Sequence, residues 1–174
     1  MNRLLGISIA AALAAGCSTM MGPGGNPTAV ANLEATKGNS VTGRVTFSQE
    51  GDGVHVNASV SGLPPNSEHG FHVHEKGDCS SGDGMSAGGH FNPDGKPHGP
   101  QFGEHHAGDM PSLVADAYGN AAASFVLKGV TVGGGGADLV GRGLIVHRDP
   151  DDFKTQPTGN SGPRLACAVI TKTQ

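Results

Sequence analysis

The chain has 174 residues, with 30 glycines, 11 prolines, no tryptophan and a formal net charge of −4. That length suits one domain with a real core, and so much glycine disfavours long helices and favours short strands joined by turns. No basic block is present, which argues against nucleic acid as a partner, and the net negative charge repels an anionic substrate at long range unless local positive charge draws it in.

In chain order, the first segment is a targeting signal. Arg3 supplies a basic start, and residues 4–15 form an apolar run too short to span a bilayer. Ala14-Ala15-Gly16-Cys17 resembles the lipobox of bacterial lipoproteins, in which the cysteine is lipidated and becomes the mature N-terminus. The alternative is ordinary cleavage after small residues, which leaves a soluble protein. On either reading the chain is exported. Residues 1–16 are the signal peptide, and 17–28 are the lipidated N-terminus and a Gly- and Pro-containing flexible tether.

A domain over residues 29–174 follows, and its apolar residues have period two. Ala29, Ala31, Leu33 and Ala35 alternate, as do Val41, Gly43, Val45 and Phe47, and then Val54, Val56, Ala58 and Val60. Glu50-Gly51-Asp52-Gly53 between the last two sets is a hairpin signal. Further strands are predicted at 70–74, 113–116, 121–127, 143–147 and 165–171. Eight short strands and no helix predict an all-β, antiparallel Greek-key sandwich or flattened barrel. Two long stretches without period, 76–111 and 148–164, are the expected functional loops.

Eight of the nine histidines lie between His69 and His147. Neutral imidazole suits zinc, copper, iron and nickel, and carboxylate joined to several imidazoles is a common zinc arrangement, so the cluster reads as a metal site. The bland reading is a set of solvated loop histidines. In the strand at 70–74, alternation sends Phe71 and Val73 to the core and His72 and His74 together to the opposite face. His147, ending another apolar run, could join them or lie on the surface. With Cys17 carrying a lipid, Cys79 and Cys167 remain; in an oxidising compartment they are expected to pair, the alternative being two separate thiols.

The segments GFHVHEKGDC (70–79), GGHFNPDGKPHG (88–99), HAGDMPSL (106–113), GRGLIVHRDPDDFKTQPTGNSG (141–162) and RLACAVI (164–170) resemble the copper/zinc superoxide dismutases of the bacterial periplasmic type. The resemblance implies dismutation of superoxide to oxygen and hydrogen peroxide by a redox-cycling copper beside a structural zinc. Carried over residue by residue, it makes His72, His74, His90 and His147 the copper ligands. His90, His98, His106 and Asp109 become the zinc ligands, with His90 bridging both ions and holding a catalytic proton. Cys79 and Cys167 match the family's disulfide, Arg164 its anion-binding arginine, and Asp151 its carboxylate linking the two metal sites. His69 is structural by the same comparison, and His105 and His55 are expected to be exposed. Lys76, Arg148 and Lys154 are candidates for steering superoxide. A homodimer, a periplasmic location and membrane contact only through the N-terminal lipid complete the expectation. A metal store on the same fold, or a descendant that has lost copper, would tolerate loss of Arg164 or a copper histidine; here all these positions are filled.

Overall fold

The computed structural model describes residues 25–174. The signal peptide, Cys17 and most of the tether lie outside the described residues.

Among the described residues ten strands form: β1 (Thr28–Ala35), β2 (Thr42–Glu50), β3 (Gly53–Ser61), β4 (Glu68–His69), β5 (Phe71–His74), β6 (Leu113–Val114), β7 (Ala121–Lys128), β8 (Gly143–His147), β9 (Arg164–Val169) and β10 (Thr171–Lys172). The eight expected strands are all present, although β6 stops at Val114, short of Asp116. Two additions are the two-residue strands β4 and β10, too short to show a period. The described residues contain one helical turn, the 3-10 turn Met85–Ala87. Every strand pairing is antiparallel.

The main sheet runs β5-β8-β9-β1-β2-β3-β7, with β10 on β1 and β4 paired to β6. β1, β2 and β3 are consecutive neighbours, whereas β5 and β8 return to the far side beside β9. This gives the curled Greek-key barrel anticipated from the short strands. The β2–β3 hairpin closes at Glu50 opposite Gly53, and Gly51 takes φ 58°, which glycine adopts at little cost. Inward side chains include Val45, Phe47, Val54, Val56, Leu127, Leu144 and Ile170, all essentially buried.

A second, smaller apolar cluster of Ala87, Ile145 and Cys167, with Cys79 against it, lies apart from this core. Cys79 and Cys167 form a disulfide across a sequence separation of 88 residues. The bond ties the loop after β5 to β9, which lies beside β8.

Candidate metal centre

β5 sets the site. Phe71 and Val73 enter the main core, as alternation requires. His72 and His74 take the other face, yet both are fully buried. The long loops fold over that face: Phe91 N donates to Val73 O at 2.8 Å, and Val73 N donates to Gly108 O at 2.9 Å. His147 at the end of β8 and His90 from the first loop reach the same point.

Two groups of ligand-type side chains result. One is His72, His74, His90 and His147; the other is His90, His98, His106 and Asp109; within each group one ligand atom per residue lies within 4.8 Å of every other. One ring, His90, belongs to both. All seven residues are buried.

Hydrogen bonds decide which nitrogen of each ring faces its group. His74 Nδ1 donates to Gly88 O at 2.9 Å and His147 Nδ1 to Gly162 O at 3.1 Å, so each leaves its Nε2 lone pair free. Those two Nε2 atoms lie 3.3 Å apart. His72 is turned the other way: Nε2 faces Asp151 Oδ2 at 2.7 Å. His72 Nδ1 and His90 Nε2 are buried without any hydrogen-bond partner. Burial strips water from a polar atom, so such orphans are costly unless something else coordinates them. Four imidazole nitrogens thus converge, two of them with no partner in the protein, and the set could hold a metal that favours imidazole, copper and zinc among them.

The second group follows the same logic. His90 Nδ1 lies 2.8 Å from Asp109 Oδ1, His106 Nδ1 lies 3.3 Å from the same oxygen, and His98 Nδ1 lies 3.0 Å from Asp109 Oδ2. The last contact lacks hydrogen-bond geometry, leaving His98 Nδ1 unsatisfied. His98 Nε2 faces Asp151 Oδ1 at 2.9 Å. Three imidazoles and one carboxylate make a four-coordinate set suited to zinc. Main-chain N–H groups of Gly99 (3.1 Å) and His106 (2.9 Å) steady Asp109 Oδ2.

These surroundings tune protonation. Burial, then the positive charge of neighbouring rings, holds His74 and His147 well below the ordinary histidine value of 6.5. Burial lowers His90 to about 4 despite its hydrogen bond to Asp109, and it lowers His72 despite Asp151. Four rings are therefore neutral, the form that ligates metal. His98 goes the other way. Burial would lower it, but the adjacent Asp109 and Asp151 carboxylates outweigh burial and raise it to about 9. Burial likewise would raise Asp109 and Asp151, and their hydrogen bonds to histidines instead keep both well below the usual carboxylate range.

Arg164 opens β9, opposite His147 in register. It is half-buried, and its Nη1 and Nη2 groups donate to Gly84 O and Gly88 O at 2.6 Å each. Gly88 O is also the acceptor for His74 Nδ1, so a single carbonyl couples the guanidinium to a ring of the first group.

The remaining histidines stand apart. His69 donates from Nδ1 to His147 O at 2.9 Å and meets Ser67 Oγ at 2.6 Å, and it belongs to neither group. His105 is half-buried rather than exposed, because its Nδ1 is held by His106 O at 2.7 Å. His55 is likewise part-covered, by Ser124 Oγ at 3.0 Å and Glu50 at 3.5 Å. Among the steering candidates, Lys76 lies 3.7 Å from Glu75 and Arg148 forms a two-point pair with Asp149 at 2.9 Å. Lys154 has no ion pair among the described residues and borders an apolar cleft of Pro100, Phe102, Pro111 and Phe153.

Several supporting contacts escaped the sequence reading. Gln156 grips the His98 main chain, accepting from its N at 2.7 Å and donating to its O at 2.8 Å. Phe153 stacks on His98 with an interplanar angle of 4°. Gly159 has φ 62°, and a Cβ there would strike the Asp151 carboxylate and His98 Nε2. The carbonyls of Gly84 and Gly88 carry no residue identity at all. A glutamine or a carbonyl in a loop gives no signal of its own before the loop is closed.

An antiparallel β-barrel holding two adjoining groups of ligand side chains defines a histidine-rich metalloprotein with paired metal positions. The chain belongs to the copper/zinc superoxide dismutase family, whose sequence pattern matches residues 41–170. It is 42% identical over 145 residues to the second Cu-Zn superoxide dismutase of Aquifex aeolicus, covering 80% of this chain and 84% of that protein. It is 42% identical over 137 residues to the Cu-Zn superoxide dismutase of Paramecium bursaria Chlorella virus 1, covering 75% and 72%. Among solved structures it resembles the clock protein EA4, with a TM-score of 0.76 and 37% identity over 86% of this chain and 97% of that one. A double mutant of a SOD-like protein from Bacillus subtilis gives a TM-score of 0.73 and 36% identity over 82% and 96%. The protein is accordingly an oxidoreductase that dismutates superoxide and uses copper and zinc.

Proposed function

We propose that His72, His74, His90 and His147 hold the copper and that His90, His98, His106 and Asp109 hold the zinc, with the His90 ring bridging the two ions. The observation that carries this reading is the pair of atoms on His90: Nδ1 lies among the Asp109 group, while Nε2 is buried and unpartnered beside the other three rings. When bound, copper supplies a one-electron couple, and zinc, which has no redox chemistry, supplies fixed charge and geometry.

The chain's own residues do the rest. Asp151 holds one ring from each group in the tautomer that ligates. Arg164 offers a fixed positive charge to superoxide, with its planar head oriented by two carbonyls. His90 Nε2 is the atom placed to hold a proton and pass it to the product as peroxide forms. The leader and Cys17 support export and anchoring by a lipid, hence defence against superoxide outside the cytoplasm, in the periplasm. A homodimer belongs to the same reading.

Metal analysis joined to a superoxide assay tests the assignment. The purified protein is expected to hold one copper and one zinc per chain. His147→Ala should lose copper and keep zinc, and His98→Ala should lose zinc and keep copper. Loss of both metals to the same extent in both variants would overturn the division of ligands.

A further inference from the structure

Arg164 is held from two sides. Its head donates to Gly84 O and Gly88 O. Its main chain is gripped from β1. Ala35 pairs with Ala166 in register, and the next residue, Thr36, turns its side chain onto the start of β9. Thr36 Oγ1 donates toward Arg164 O at 2.7 Å, with Leu165 O at 3.1 Å as a longer second acceptor. Thr36 N also donates to Leu165 O, at 3.0 Å. Asn39 Nδ2 donates to the same hydroxyl at 2.8 Å, so the hydroxyl's own proton is directed at β9. Thr36 is 7% exposed, which keeps competing water away.

The sheet ladder is irregular where it reaches Arg164. That residue is the first of β9 and follows a long loop. On its other flank the register with β8 shifts between Val146 and His147, where Arg164 is paired. An irregular ladder at a strand's first residue constrains the main chain weakly. The same turn reaches the loop that carries the head's acceptors, because Lys37 N donates to Gly82 O at 2.7 Å.

We propose that Thr36 is a positioning residue for Arg164, its hydroxyl fixing the arginine's main chain so that the guanidinium is delivered to the anion in one orientation. This rests on the reading of Arg164 as the superoxide anchor. A long side chain magnifies error at its base. A tilt of about 10° moves a head roughly 6 Å away by about 1 Å, and misplacement of that size is enough to weaken an aligned contact by up to about a hundredfold.

The test uses the copper- and zinc-loaded protein and a double-mutant cycle at low ionic strength. Thr36→Val, which keeps the shape and removes the hydroxyl, should retain both metals and lower kcat/KM for superoxide by roughly two- to tenfold, the effect of one lost hydrogen bond. Thr36→Ser should restore most of the rate. In an Arg164→Ala background, Thr36→Val should change the rate by less than about twofold, because a merely structural loss would not depend on the guanidinium. Independent, multiplying effects would overturn the positioning role, as would a fully active Thr36→Val; in both cases a slow Arg164→Ala leaves the anchor reading intact. A fully active Arg164→Ala would remove the anchor and this proposal with it. Should Thr36→Val fail to fold, Asn39→Ala decides: it keeps the hydroxyl and removes the donor that orients it. A smaller loss of rate that disappears in the Arg164→Ala background supports the role, and an unchanged rate overturns it.

Discussion

Asp151 Oδ2 lies 2.7 Å from His72 Nε2, and the carboxylate's other oxygen lies 2.9 Å from His98 Nε2. One carboxylate thereby sets the tautomer of one ring in each metal group. An amide in its place has a single acceptor oxygen and cannot serve both N–H groups. Asp151→Asn is expected to weaken zinc binding by roughly ten- to a hundredfold. Competition with a chelator measures it; unchanged zinc affinity would make Asp151 an ordinary loop acid.

His105 and His106 are adjacent and face different surroundings. His106 Nδ1 points at the Asp109 group, and His105 Nδ1 is held by a carbonyl. His106→Ala should lower zinc occupancy severely by leaving three ligands, whereas His105→Ala should leave occupancy within about twofold of the unaltered protein. Zinc content after dialysis distinguishes them, and the reverse pattern would sink the assignment.

The metal-free protein should be most stable near pH 6.5. His98 is raised to about 9 by its two carboxylates against the cost of burial, so its contribution is complete below 6.5 and is lost as pH rises through about 9. His74, His147, His72 and His90, all lowered chiefly by burial, act on the other side: below 6.5 the unfolded chain takes up protons that the folded one refuses. Melting temperature of the apoprotein against pH should fall in both directions, and His98→Gln should flatten the alkaline limb. An alkaline limb unaltered by that substitution would show that His98 does not set it.

The disulfide closes a long loop and pins the chain around Gly84 and Gly88, which hold Arg164, to β9. Cys167→Ser should therefore cost about 2–5 kcal/mol of stability. Activity should fall more than metal content does, since the carbonyls that aim Arg164 are released. Denaturant melts of the variant, with metal analysis alongside, check both. Equal stability of oxidised and reduced protein would contradict the structural role.

The proposed lipid anchoring rests on the sequence of the segment before the domain. If Cys17 carries the lipid, the unaltered protein should partition into the detergent phase and Cys17→Ala into the aqueous phase or remain unprocessed. Aqueous partitioning of both would leave only the secreted, soluble form.

Short-range order was legible without any structure. Period-two alternation placed Phe71 and Val73 inward and His72 and His74 together on the other face, because side-chain direction along a strand is a local property of the backbone. Asp109 and His106 were paired by resemblance to the family's motif, not by spacing alone. The chain's family motifs carried Arg164, Asp151 and the cysteine pair by resemblance, and among these the pair of Cys79 and Cys167 is joined in the folded chain. Tertiary structure alone decided that the outward face of β5 is fully buried, because that depends on loops tens of residues away folding over it. It also decided which ring nitrogen is free in each histidine, because a tautomer is selected by whichever carbonyl or carboxylate arrives on the opposite edge. The grips of Gly84, Gly88, Gln156 and Thr36 belong to the same class. Main-chain carbonyls, amides and hydroxyls are common along any sequence, and they acquire a role only when closure of distant segments brings one of them within hydrogen-bond distance of a side chain that needs it.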